Sequence, residues 1–208
     1  MSMTPSDAAW EEFYDKMSEE LYQEHKDQAI NEFTEEQLQS FYLENQNLMR
    51  PAVDAIQEGK KLQEDQYFSA ALVFFVSAIE ILLKTTLLKP VIYGLIHNEV
   101  LAEVIAENFL KQSGLDRYKK LMSKIFQEVA NVDLSHVKRE SSDKLLIVEC
   151  DEIQKIRNRI IHQGFKCLPD DAELSNLVAA SVFGSIVKPF LYSIGLTVVE
   201  RGEIIPVK

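Results

Sequence analysis

The chain has 208 residues, 46% of them hydrophobic, and a formal net charge of −11 from 33 acids against 22 lysines and arginines. This length allows one domain with an extension or two small domains, and the hydrophobic content excludes a chain disordered throughout. Seven glycines and six prolines are few for a turn-rich β-sandwich and suit a helical protein.

The acidity is concentrated at the start. Residues 1–50 hold twelve acids and three bases (Lys16, Lys26, Arg50), a net of −9, so the remaining residues carry only −2. Bulk electrostatics therefore argue against a high-affinity DNA binder, because phosphate contacts need Lys and Arg. They argue less against an enzyme that engages a few nucleotides. Cys150 and Cys167 lack C-x-x-C spacing and a neighbouring His cluster, so no zinc site is expected and two reduced thiols in a cytoplasmic protein are. The first ten residues have neither the basic nor the apolar region of a secretory leader.

Residues 6–26 predict an acidic helix with Trp10, Phe13, Tyr14, Met17 and Leu21 on one side. A second helix is predicted over 34–58, opening on the capping box Thr34-Glu-Glu-Gln37, with Pro51 positioned to kink or divide it. Residues 1–60 thus read as an acidic helical extension. Gly59–Asp65 reads as a polar junction.

The next helix, 66–88, is apolar on every side and is expected to be buried all round. Its most apolar run, Ala70–Leu83, is too short for the roughly 20 residues of a membrane span. Glu80 is its exception. A buried carboxylate needs a cation or water, and two partners are open: Lys84 one turn on, or Arg157 far along the chain. Helices are predicted over 92–112, 115–130 and 143–163, with a polar loop at 131–142. Another starts near Asp171, where two aspartates suit the positive end of a helix dipole, and runs toward Pro189. Residues 61–195 thus read as a helical bundle. The tail, 196–208, has β-type residues around Arg201-Gly202, as in a small hairpin or extended arm.

Glu152–Gly164 organises the chain. Ile153, Ile156 and Ile160 form one helical stripe, extended by Leu146 and Glu149, and Arg157 falls inside it. An arginine cannot deprotonate to escape burial, so it needs a paired acid or a polar pocket. Asn158 and His162 are four apart and share the opposite face. Gly164 supplies the stop, near which a bend would bring the His162 imidazole and Arg157 guanidinium together. By themselves, His162 reads as a cation at a helix C-terminus and Arg157 as a structural partner of Glu80. His25, His97 and His136 show no ligand spacing and receive no role.

Arg157, Asn158 and His162 spell R-N-x-x-x-H, which resembles the motif of the HEPN superfamily of helical nucleotide-binding domains. Residues 66–195 are similar to the whole domain: a very apolar first helix, intermediate helices, the motif helix and one final helix. Phe75–Lys84, F-V-S-A-I-E-I-L-L-K, resembles the first core helix of several HEPN groups, in which an acid faces the motif. The resemblance implies an all-α up-and-down bundle, with the acidic extension and the C-terminal arm outside it.

It further implies a metal- and cofactor-independent endoribonuclease in which the substrate's 2′-OH attacks the adjacent phosphate, a nucleophile that DNA lacks. His162 would be the general acid or base and Arg157 the stabiliser of transition-state charge. Asn158 would orient a neighbour or touch substrate, with Glu80 behind the motif. Arg159, Lys155 and Lys166 would hold flanking phosphates. A two-fold homodimer with facing motifs, a cognate inhibitor or activator protein, and a toxin or antiviral defence setting are implied too. One departure stands out: some toxin members carry a modified Tyr two places after the His, and here Gly164 occupies that place. The alternative is a HEPN-like assembly or nucleotide-sensing module that has kept the shape and lost catalysis.

Overall fold

The computed structural model describes residues 16, 17, 19, 20, 33–96, 98–110, 123, 124, 126, 127 and 133–207. The protein is all-α with a small C-terminal hairpin. The described residues form six helices of two turns or more: α1 (33–44), α2 (Arg50–Glu64), α3 (Phe68–Leu95), α4 (Glu99–Leu110), α5 (Leu146–Gln163) and α6 (Pro169–Ser193). The hairpin is β1 (Leu196–Val198) paired antiparallel with β2 (Ile204–Pro206). Of the helix expected over 6–26, residues 16, 17, 19 and 20 are helical and the rest lies outside the described residues; only 123, 124, 126 and 127 are described, as helix, in the one expected over 115–130.

α3 is the centre, packed against α2, α5 and α6. Leu72, Val76, Ile79, Leu82 and Leu87 of α3 are fully buried with Leu38 and Tyr42 of α1, Ile153 of α5, and Val182 and Phe190 of α6. Each such aliphatic or aromatic side chain contributes about 1.5–3 kcal/mol on burial. Met49, Ala52, Leu196 and Ile204 join the same cluster, so the described part of the N-terminal region and the tail share the bundle's core. The tail is anchored by a backbone bond from Ile204 N–H to Gln46 C=O, 3.0 Å.

Several boundaries differ from expectation. Thr34 lies within α1, since Phe33 is already helical, so it is not the N-cap. Pro51 does divide the expected 34–58 helix: residues 45–49 turn, and Pro51 sits in the first turn of α2, where its missing N–H costs nothing. Gly59 does not begin a junction. It is buried inside α2, and a Cβ there would lie 2.7 Å from the Phe75 ring, so close helix approach requires glycine.

α3 is not buried all round. Val73, Ser77, Glu80 and Lys84, spaced four, three and four, form a half-buried strip. Glu80 therefore sits at the edge of the core rather than inside it. Nor does the helix end at residue 88 as expected; Pro90 lies inside α3. The helix widens into π turns over Ile81–Leu88 and resumes its α pitch through Leu95. A proline ring clashes with the carbonyl four residues back and offers it no N–H; the widened turn makes room. Four residues before Pro90, Thr86 C=O accepts a 2.6 Å hydrogen bond from the buried Tyr42 hydroxyl. Burial pushes the Tyr42 phenol well above its ordinary pKa, so it remains a donor. α6 repeats the device, with π turns over Phe183–Val187 ahead of Pro189. α3 and α6 are each long and apolar enough to cross a membrane, with 61% and 44% of the relevant windows buried inside the protein.

Tyr42→Phe is expected to cost about 1–3 kcal/mol in urea unfolding, the range for leaving a buried acceptor unpaired. In a Pro90→Ala background, which restores an N–H for Thr86, the same change is expected to cost less.

Candidate functional site

α5 is built to hold a fixed rotation. Leu146 N–H bonds to Val137 C=O at 2.8 Å, within an isolated bridge between Lys138 and Leu145 that starts the helix at Leu146 rather than at 143. One turn on, the Glu149 carboxylate is buried and takes hydrogen bonds from Arg139 at 2.9 and 3.4 Å and from Ser142 at 2.9 Å. This ion pair was not legible: Arg139 lies in a polar loop whose path the sequence does not set. Gln154 is buried, and its amide donates to Glu80 at 2.8 Å. A net hydrogen bond to a charged group is worth about 1.5–3 kcal/mol, no more than the burial of Ile153 alone, and Leu146 and Cys150 of the same helix are buried as well. Burial holds α5 to α3, and the polar contact fixes its rotation.

The C-terminus is sharp. Gly164 has φ 64, in the left-handed region glycine adopts freely. Gly164 and Phe165 N–H close on the carbonyls of Ile160 and Arg159, each at 3.2 Å. The helix is regular through Gln163, so the expected bend near His162 is absent.

Given a regular helix, the motif divides. Lys155, Asn158, Arg159 and His162 fall at i, i+3, i+4 and i+7 on one face, and all four are exposed. Arg157 lies about 140° around the axis from His162 and about 7.5 Å away along it, flanked by Gln154 and Ile161. One chain therefore does not bring imidazole and guanidinium together along this helix. Lys166 lies beyond it, lining a groove of about 570 Å³ with Tyr67, Ile160, Phe165 and Cys167, on the side of α5 away from His162. Arg159 stacks on the Phe165 ring, 3.8 Å from its centroid. The Cys167 thiol in the groove wall has its pKa raised, chiefly by burial.

Arg157 and Glu80 form no ion pair; Glu80 bonds to Gln154 instead. The physical reason is rotation: Gln154, one turn earlier, occupies the place opposite Glu80. Arg157 donates to Asn158 Oδ1 at 3.1 Å, and its buried Nε has no hydrogen-bond partner. It is a half-buried cation with no neutralising acid among the described residues.

From Ile153 to Pro169 the chain carries Lys155, Arg157, Arg159 and Lys166 and not one acid. Of the acids that flank this segment, Glu152 is already paired with Lys144 at 2.8 Å, and of Asp170 and Asp171 on the other side, Asp171 accepts the Leu168 N–H at 2.9 Å. A locally cationic segment in a chain of net charge −11 was readable in the sequence but hidden by the averages. Among the described residues no cluster of three or more His, Cys, Asp or Glu gathers as a metal site.

No family model matches this chain, and no characterised protein or solved structure matches it significantly.

Removing Arg139 leaves Glu149 buried without its cation. Arg139→Ala is expected to cost about 3 kcal/mol or more in chemical unfolding, and Arg139→Ala/Glu149→Leu to recover part of that loss.

Proposed function

We propose that the chain is an endoribonuclease of HEPN type that cleaves RNA by attack of the substrate's own 2′-OH, at a site shared by two copies. The observation that carries this reading is Arg157: a half-buried guanidinium with an unfilled Nε and no acid to neutralise it among the described residues, directly beside Asn158 and five residues before His162. A merely structural arginine would have Glu80 as its partner. An arginine left without one is available to a phosphate, whose oxygens match its planar fork.

The division of labour follows from the helix. Exposed His162 moves the proton as general acid or base. Arg157 meets the charge that develops on the phosphorus-centred transition state. Since one α5 points these groups about 140° apart, the reacting pair is Arg157 of one copy and His162 of a second, related by a two-fold axis. Ile161 and Leu168, 48% and 65% exposed beside the motif, give the contact apolar area. Lys155 and Arg159 share the His162 face and hold flanking phosphates; Lys166 serves nucleotides farther along. Glu80 acts through Gln154 as a positioning residue. A cytoplasmic location, a cognate regulator and a toxin or antiviral role accompany this reading by analogy alone.

The second reading is a non-catalytic assembly module. The separation of Arg157 from His162 within one chain favours it.

Purified protein is expected to cut single-stranded RNA in EDTA and to leave 2′,3′-cyclic phosphate ends, and to leave the matching DNA intact. His162→Ala and Arg157→Ala are each expected to lower the rate at least about 100-fold, the lower range for a lost general acid–base or oxyanion-stabilising group. Folded dimers of wild-type sequence that cut no class of RNA would favour the assembly module.

A further inference from the structure

A second groove, of about 370 Å³, lies away from α5. Its long wall is one face of α2, since Val53, Ile56, Gln57 and Lys60 recur at i, i+3, i+4 and i+7. Leu82 comes from the π turns of α3 and Phe183 opens those of α6, so the groove lies where both widened segments meet. Such turns are frequent at functional sites. The hairpin closes the end nearest Val53 and presents Arg201.

Charge tells what the groove accepts. The chain has 33 acids against 22 bases, yet no acid lines the groove, and its two charged side chains, Lys60 and Arg201, are both cations. Neither makes a hydrogen bond or ion pair within the described residues. Arg201 also holds a backbone conformation that favours glycine, φ 59 and ψ 18. A non-glycine residue kept there points to a use for its side chain. The volume falls within the roughly 300–1,000 Å³ of small-molecule sites.

We propose that this groove binds a small apolar carboxylate. The apolar body lies over Val53, Ile56, Leu82 and Phe183, and the carboxylate pairs with the Arg201 fork at the hairpin end. Lys60 stands two turns along α2, about 10 Å from Val53. It serves a second carboxylate at the far end of the same body.

The test is calorimetric titration of the full chain with decanoate, decanedioate and decanol. Decanoate is expected to bind at least tenfold more tightly than decanol, and Arg201→Gln to weaken decanoate at least tenfold. Lys60→Gln is expected to leave decanoate within twofold and to weaken decanedioate severalfold. Arg201→Gly separates charge from backbone distortion, because glycine adopts the turn freely. It is expected to lose decanoate as the Gln variant does while raising Tm. The proposal is overturned if decanol binds as well as decanoate, if decanoate does not bind, or if Arg201→Gly binds it unchanged.

Discussion

The structure depends on how α3 is covered. A helix this apolar cannot stand in water, so α2, α5 and α6 pack around it and leave one half-buried strip. Glu80 lies on that strip and takes its hydrogen bond from Gln154 of α5. Ile153 packs inward, Gln154 meets Glu80, and with those two positions set, helix geometry fixes every later one. Asn158 and His162 then face outward and Arg157 sits on the flank. The motif's exposure is thus a consequence of core packing. The Arg139–Glu149 pair supports the same rotation at the opposite end of the helix.

The two prolines inside long helices show a related constraint. Pro90 and Pro189 each follow a π segment, and a proline leaves one carbonyl without its helical donor. In α3 the Tyr42 hydroxyl donates to Thr86 C=O, four residues before Pro90, which ties α1 to the middle of the bundle. Leu82 and Phe183, which belong to the widened turns, line the groove along α2. Each π segment precedes a Lys-Pro pair, Lys89-Pro90 in α3 and Lys188-Pro189 in α6.

Much of the fold was legible. The high apolar content of α3, the stop at Gly164, the division at Pro51 and the β character of the tail all act locally, and each appears in the structure, although α3 is not buried on every side as expected. Interactions across long sequence separations were not legible. Nothing in a polar loop announces that Arg139 will cover Glu149. Glu80 read as a charge inside an apolar helix because the half-buried strip around it depends on which neighbours pack where. Glu80 and Arg157 looked like partners, yet a helix turn separates the residue that faces Glu80 from the one that carries the cation. Proline in a helix normally reads as a boundary, so both π segments were missed. The bend expected at His162 failed because Gly164 caps a regular last turn rather than distorting it.

On the proposed reading, the motif of one chain is half a site: an exposed imidazole on one face and, on the flank, a guanidinium with no neutralising acid among the described residues. Two copies related by a two-fold axis resolve that separation, and mixing two inactive variants tests it directly. His162→Ala protein retains Arg157, and Arg157→Ala protein retains His162. When the two are dissociated and reassociated together, mixed dimers hold one intact Arg157–His162 pair, and RNA cutting is predicted to return although neither parent cuts. A mixture as inactive as its parents, with mixed dimers demonstrably formed, would contradict the shared site.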